Sequence, residues 1–224
     1  MATISVIVPT LNEAASVRSC LLSLQPIRQA GGEVVLVDAG SSDSTLDLAE
    51  PLVDLVLDSP PGRARQMNAG ARKAGGDFFW FIHADTRVSA AAVTALQGLG
   101  DEFLWGRFDI RLSGQGWALR LVERMMNLRS RLTSVATGDQ GMFIRKEVFE
   151  SIGGWADIPL MEDIALSKTL RALGNPRCFS EQIITSSRRW ESQGCLKTII
   201  LMWSLRLAYF LGVNPARLAR RYYG

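Results

Sequence analysis

Short apolar, β-branched runs alternate with segments of helical spacing over residues 1–90. Residues 4–8 form an apolar run that ends at Pro9, the pattern of a buried strand followed by a loop. Val17, Leu21 and Leu24 recur at helical spacing and predict a helix over 14–29, broken at Gly31-Gly32. A second buried strand is expected at 33–37, and it delivers Asp38 to its C-terminal end. Loop follows at 39–42, where Ser42 or Asp43 can cap a helix running to Ala49. A short strand at 54–57, a loop at 60–62 and a helix over 63–74 come next. The run 77–82 is the most apolar strand, and it delivers His83, Ala84 and Asp85.

The second half is less regular. Strands are expected at 104–112 and 140–145, and an extended segment at 183–190. Helices are expected at 116–132, where the pattern is basic and amphipathic, and at 146–152 and 162–173. A long apolar helix is expected at 194–212, interrupted by Ser204 and Arg206 and followed by a basic tail at 217–221.

Strands that alternate with helices imply an α/β domain with a mostly parallel central sheet covered on both faces. With no repeat or linker visible, residues 1–224 are expected to form one domain: a ligand-binding half at 1–90, a second half at 91–190 and a C-terminal helical extension at 191–224. Polar residues gather just after the first, second and fourth strands. In open α/β sheets that edge, outside the carboxyl ends, is where ligands bind.

Composition narrows the partners. The chain has 224 residues, 47% of them hydrophobic and 21% charged, with a net charge of +3. Its basic residues are spread along the chain, which argues against a nucleic-acid binder with its concentrated basic stripe. Most are arginines, whose forked guanidinium groups suit phosphate oxygens. Three cysteines, Cys20, Cys178 and Cys195, have no metal-ligand spacing and fit a reducing cytoplasm better than a disulfide framework. The N-terminus lacks the basic region of a signal peptide, and no stretch offers the ~20 uninterrupted apolar residues of a spanning helix. A cytoplasmic location is therefore expected. The helix at 194–212 and its basic tail could also lie on an anionic membrane surface such as the inner membrane face, or form core or a homodimer contact.

Four clusters carry candidate chemistry. Asp38, followed by Gly40, Ser41 and Asp43, is placed to accept hydrogen bonds from a base or ribose, and equally to cap its own turn. His83 and Asp85 end an apolar strand one residue apart, so alternation would put both on one side. Asp85 is a hard oxygen ligand suited to Mg²⁺ or Mn²⁺ bridging a diphosphate; the bland alternative is a cap at Thr86 or Ser89 beside an incidental histidine. Glu162 and Asp163 open a helix, where the dipole favours carboxylates and where Asp163 could take a proton from a hydroxyl. Arg188, Arg189 and Trp190 combine guanidinium groups with an aromatic face, as a pyrophosphate site or a salt-bridged surface would.

Taken in order, these elements resemble the family-2 glycosyltransferases of GT-A fold, over nearly the whole chain. The segment 4–13 looks like that family's opening strand and loop, with Pro9, Thr10, Leu11 and Glu13 as nucleotide contacts. Residues 35–43 look like its second strand, whose Asp, here Asp38, holds the nucleotide base. Arg63, Arg65 and Asn68 sit on the helix that flanks the nucleotide. His83-Ala84-Asp85 occupies the place of the DxD metal motif, and Glu162-Asp163 matches the ED motif, whose Asp is the general base. Ser186 to Trp190 sits where relatives carry a QxxRW-like motif; Asp139, Gln140, Glu162, Arg188, Arg189 and Trp190 are then expected on the acceptor and diphosphate side.

Two departures stand out. His83 replaces the first Asp of DxD, which leaves that position's job open, and Ser186 replaces the Gln of QxxRW. The resemblance implies a nucleotide-sugar donor, a divalent metal, a small-molecule or lipid-linked hydroxyl acceptor, and one inverting, non-processive transfer. Two rivals are a nucleotidyltransferase and a non-catalytic protein of the same fold acting as a membrane-surface or partner-binding module. The first usually carries a Gly-rich phosphate loop after strand one, and residues 9–13 contain no glycine.

Overall fold

The computed structural model describes residues 2–100 and 102–223. Its centre is an eight-stranded sheet in the order β3-β2-β1-β4-β7-β6-β8-β5. β1 (Ile4–Thr10), β2 (Glu33–Asp38), β3 (Leu55–Asp58) and β4 (Phe78–Phe81) are mutually parallel. β5 is the short Arg87–Val88, and β6 (Trp105–Leu112) pairs in parallel with β8 (Arg177–Thr185). β7 (Phe143–Arg145) runs antiparallel to both β4 and β6, and β5 antiparallel to β8. The sheet is mixed but mostly parallel, as expected: β1, β2, β3, β4, β6 and β8 run one way, and only β7 and β5 run against them.

Alternation along the strands sorts the core into two layers. Val6, Val8, Val34, Leu36, Phe78 and Trp80 face one cluster; Ile7, Val35, Val37, Phe79 and Phe81 face the other. A strand buried on both faces reads as a continuous apolar run, as 77–82 does. α1 (Val17–Gln29) and α4 (Ala90–Gln97) cover the first face, and α3 (Arg63–Ala71) and α7 (Glu162–Arg171) the second. α3 lies so close to the sheet that a Cβ on Gly70 would meet Ile7 Cγ2 at 2.6 Å. The indole of Trp80 donates to the Gly141 carbonyl at 3.0 Å, so this buried side chain also joins β4 to the turn before β7.

The remaining helices are α2 (Thr45–Ala49), α5 (Trp117–Thr133), α6 (Lys146–Ser151), α8 (Arg188–Gln193), α9 (Cys195–Phe210) and α10 (Pro215–Tyr223). A third, smaller cluster joins Val135, Leu160 and Ile164 to Leu205 of α9 and Leu218 of α10, and so fixes the C-terminal helices over the start of α7. Three expectations are corrected. The segment 183–190 is strand only to Thr185 and then turns into α8. The basic tail is helical, with Leu218 and Ala219 turned inward. β5 and α4 lie where no element was expected, and Ser89 caps α4 by accepting from the Ala92 N–H at 3.2 Å.

Candidate functional site

A cavity of about 580 Å³ opens at the carboxyl ends of β4 and β8. The turn after β4 supplies His83 and Asp85, the loop before β7 supplies Asp139, and the first turn of α7 supplies Glu162 and Asp163. Arg63 enters from α3, and Arg188, Arg189 and Trp190 from α8. Five elements far apart in sequence thus bring one histidine, four carboxylates and three arginines to one space.

β4 ends at Phe81, and the Thr86 N–H bonds the His83 carbonyl at 3.0 Å, closing a tight turn over 83–86. Strand alternation therefore does not govern His83 and Asp85; the turn brings both to the cavity instead. His83 Nδ1 lies 3.3 Å from Asp139 Oδ1, and a Cβ on Gly138 would meet His83 Nε2 at 2.8 Å. Asp139 thus engages Nδ1, while Gly138, lacking a Cβ, lets the backbone approach the Nε2 edge closely. Asp85 makes no hydrogen bond or ion pair among the described residues, so its carboxylate is open to the cavity.

Burial would raise the Asp139 carboxyl, but the His83 hydrogen bond and the charges of His83, Arg63 and Arg206 outweigh it and hold it below the usual carboxylate range. Burial, then the charge of Asp163, pushes Glu162 up to about 6. Asp163 is oriented by the Gly138 N–H, which donates to its Oδ2 at 3.2 Å, and by the Ile164 N–H, which donates to Oδ1 at 2.7 Å. The Ile164 N–H is one of the free N–H groups at the start of α7, which favour an anion, and the Gly138 N–H comes from the segment before β7.

The other sequence candidates stand elsewhere. Asp38 is buried: its Oδ2 accepts from the Gly40 and Ser41 N–H groups at 2.9 and 2.7 Å, and its Oδ1 from the Thr10 and Ser41 hydroxyls at 3.0 and 2.6 Å. It shapes the loop after β2 rather than lining the cavity. Pro9 and Thr10 are within buried β1, Leu11 is exposed, and Glu13 accepts from Ser16 Oγ at 2.8 Å and faces Arg188 at 3.7 Å. That last contact links the loop after β1 to α8. Ala84 packs into the core. Arg65 pairs with Asp157 at 2.8 Å on the surface, and Asn68 exchanges two hydrogen bonds with the Trp155 backbone.

Of the acceptor-side candidates, Gln140 stands away from the cavity, and Arg189 lines it under α10. Gln140 is fully buried; its Oε1 accepts from the Thr137 N–H at 3.1 Å and its Nε2 donates to Ser130 at 2.9 Å, a capping role away from the cavity. Arg189 stacks under Tyr222, 3.5 Å from the ring centroid, and donates to the Tyr222 carbonyl at 2.9 Å. α10 therefore covers this guanidinium, while its Nε is buried without a hydrogen-bond partner.

Sequence reasoning missed Arg129 and Arg206, which reach the cavity from α5 and α9, and Tyr222 from α10. Arg206 had a signal: it interrupts an otherwise apolar helix, and a cation in such a place needs a reason.

Mg²⁺ or Mn²⁺ sites shared with a substrate usually take one or two carboxylates, with phosphate oxygens completing the shell. No group of three metal-capable side chains converges among the described residues. The open Asp85 carboxylate beside the Asp139–His83 pair fits an ion shared with a diphosphate, not one held by the protein alone.

The family model of Glycosyl transferase family 2 matches residues 5–153. A PGL/p-HBAD biosynthesis glycosyltransferase of Mycobacterium bovis is 32% identical over 165 residues, covering 66% of this chain and 61% of that protein. Glycosyltransferase AglE of Haloferax volcanii is 25% identical over 167 residues, covering 67% of this chain and 55% of its own length. The chain thus spans little more than half the length of these curated relatives. Among solved structures, S. aureus TarS 1-349 superposes with a TM-score of 0.66 at 19% identity, over 83% of this chain and 60% of that one. The mannosyltransferase PcManGT from Pyrobaculum calidifontis, in complex with GDP-Man and Mn²⁺, superposes with a TM-score of 0.62 at 21% identity, over 82% and 56%. These likenesses are of fold, the GT-A fold. With two thirds of its sequence matched, and with the strand order and cavity just described, the chain belongs to glycosyl transferase family 2.

Proposed function

We propose that the chain transfers one sugar from a nucleotide-sugar donor to an acceptor hydroxyl, with inversion at the anomeric carbon. The observation that carries this reading is the cavity itself, where an open metal-capable carboxylate and an oriented helix-start carboxylate share one space with an arginine. Solved neighbours of the same fold hold UDP-GlcNAc or GDP-Man, the latter with Mn²⁺, which supports the donor class and the ion.

Asp85 would hold the divalent ion, which neutralises charge on the departing diphosphate when bound. His83, held through Nδ1 by Asp139, would position the 83–85 turn. Arg63 is a cation open to the leaving group, whereas Arg189 lies under Tyr222. Asp38, Thr10 and the loops after β1 and β2 would shape the base pocket through their mutual hydrogen bonds. Asp163 accepts the acceptor's proton as the acceptor oxygen bonds to the anomeric carbon. The bond from that carbon to the diphosphate oxygen breaks on the opposite face, and the nucleoside diphosphate leaves with the electron pair. The transition state is oxocarbenium-like, as in glycoside hydrolysis.

The test is Asp163→Asn. General-base catalysis contributes ~10²–10⁴-fold, so sugar transfer should fall by at least about 100-fold while donor binding, read by calorimetry, stays within a factor of about two. Retained turnover would remove Asp163 as the base.

A further inference from the structure

Resting on the proposed transfer, a second set of observations concerns the acceptor. Two cavity arginines have no role on the donor side. The Nε and Nη2 of Arg129 are buried without a hydrogen-bond partner, and Arg206 has no hydrogen bond or ion pair among the described residues. Both lie within electrostatic reach of Asp163. Burial, reinforced by the charges of Arg206 and Arg107, pushes the Arg129 guanidinium down to about 10. A buried guanidinium without a partner is costly, and an incoming anion relieves that cost.

The wall beside these arginines is apolar and continues onto the surface. Trp117, Leu121, Met125, Leu128 and Leu132 follow one helical stripe of α5, and all are exposed, Trp117 at 81%. Leu196, Ile200, Trp203, Leu207 and Phe210 form a matching exposed stripe on α9. Met125, Leu128, Leu132 and Trp203 belong to both the stripes and the cavity lining, so the cavity opens onto this apolar face. Monomeric soluble proteins rarely expose such a contiguous patch without a partner.

The charge around the patch selects the partner. Of the lysines and arginines on α5, α9 and α10, Arg129 and Arg206 face the cavity, and Arg120 and Arg131 pair with Glu123 and Asp109. That leaves Arg124, Lys197, Arg217, Arg220 and Arg221 exposed, and the one acid of these helices is the buried Glu123. The whole chain has a net charge of only +3. A second copy would set this positive surface against itself, whereas an anionic bilayer complements it.

We infer that α5 and α9 seat the chain on an anionic membrane surface and that the acceptor is a membrane lipid, its tail between the two stripes and its anionic headgroup on Arg129 and Arg206 beside Asp163.

The test uses the full chain and two readouts. Flotation with vesicles of phosphatidylcholine, and of phosphatidylcholine mixed equally with phosphatidylglycerol, should show binding to the second only, weakening with salt. The Trp203→Glu, Leu207→Glu double variant changes two exposed positions, so it should fold and remain unbound. Calorimetry with octyl phosphate, inorganic phosphate and octanol should give at least tenfold tighter binding of octyl phosphate than of either other probe. Arg206→Gln should reduce it to the octanol level. No binding to anionic vesicles, or binding indifferent to the double variant, overturns the proposal. So does a dimer that the double variant dissociates, or octyl phosphate no better than inorganic phosphate. Intact nucleoside diphosphate binding alongside such failures would leave the transferase reading standing.

Discussion

At the scale of single residues, the site separates two neighbouring carboxylates by environment. Glu162 is 8% exposed and Asp163 faces the cavity. Burial and the Asp163 charge raise the Glu162 carboxyl from 4.5 to about 6. An acid with a raised pKa binds its proton more tightly in the folded chain. Its contribution is fully present below about pH 4.5 and is lost as pH rises through 6. One pKa unit is 1.36 kcal/mol, so ionised Glu162 costs the fold about 2 kcal/mol at neutral pH. Glu162→Gln should therefore be more stable than the parent by up to ~2 kcal/mol near pH 7.5 and equal to it near pH 4, as urea midpoints would show. An equal offset at both pH values would mean that Glu162 is not held against its ionisation.

At the scale of elements, β4 supports both core layers and ends at the site. Trp80 is fully buried and packs 5.2 Å, centroid to centroid, from Phe108 of β6. Trp80→Ala should cost ~3–5 kcal/mol, and Trp117→Ala, on the exposed face of α5, under about 0.5 kcal/mol. Chemical unfolding of both variants measures this; a Trp80 loss below about 1 kcal/mol would contradict the role of β4. Elements of this kind were legible in the sequence, because burial on both faces leaves an uninterrupted apolar run. α8 was not. Arg188 to Gln193 is a short, half-exposed helix whose position depends on its contact with α10, and no local pattern encodes that. Gln140 and Asn68 were read as ligand contacts because polar residues near motifs invite that reading, yet Asn68 is claimed by the distant Trp155 backbone and Gln140 by the Thr137 N–H three residues away and the Ser130 hydroxyl. His83 and Asp85 do reach one cavity, through a turn rather than the predicted strand face.

At the scale of the whole molecule, the parallel half of the sheet collects the loops after β1, β2 and β4, and the mixed half adds α7 and α8 across from them. The family match ends at residue 153, before Glu162. The proposed base and acceptor wall therefore rest on the geometry of the C-terminal third, and the proposed donor half on sequence and fold together. No helix of the described residues is long and apolar enough to cross a membrane.

The central claim is that Asp85 presents a divalent ion to a nucleoside diphosphate. Thermal unfolding with UDP, GDP, CDP and ADP, each with and without Mn²⁺, tests it most directly. A ligand at 100 times its dissociation constant adds about 2.7 kcal/mol, which at this size is a Tm shift of roughly 5–10 °C. The account predicts that shift with one nucleoside diphosphate, only in the presence of Mn²⁺, and its loss in Asp85→Ala. No shift with any of the four at millimolar concentration, or a shift equal in Asp85→Ala and indifferent to metal, would contradict it.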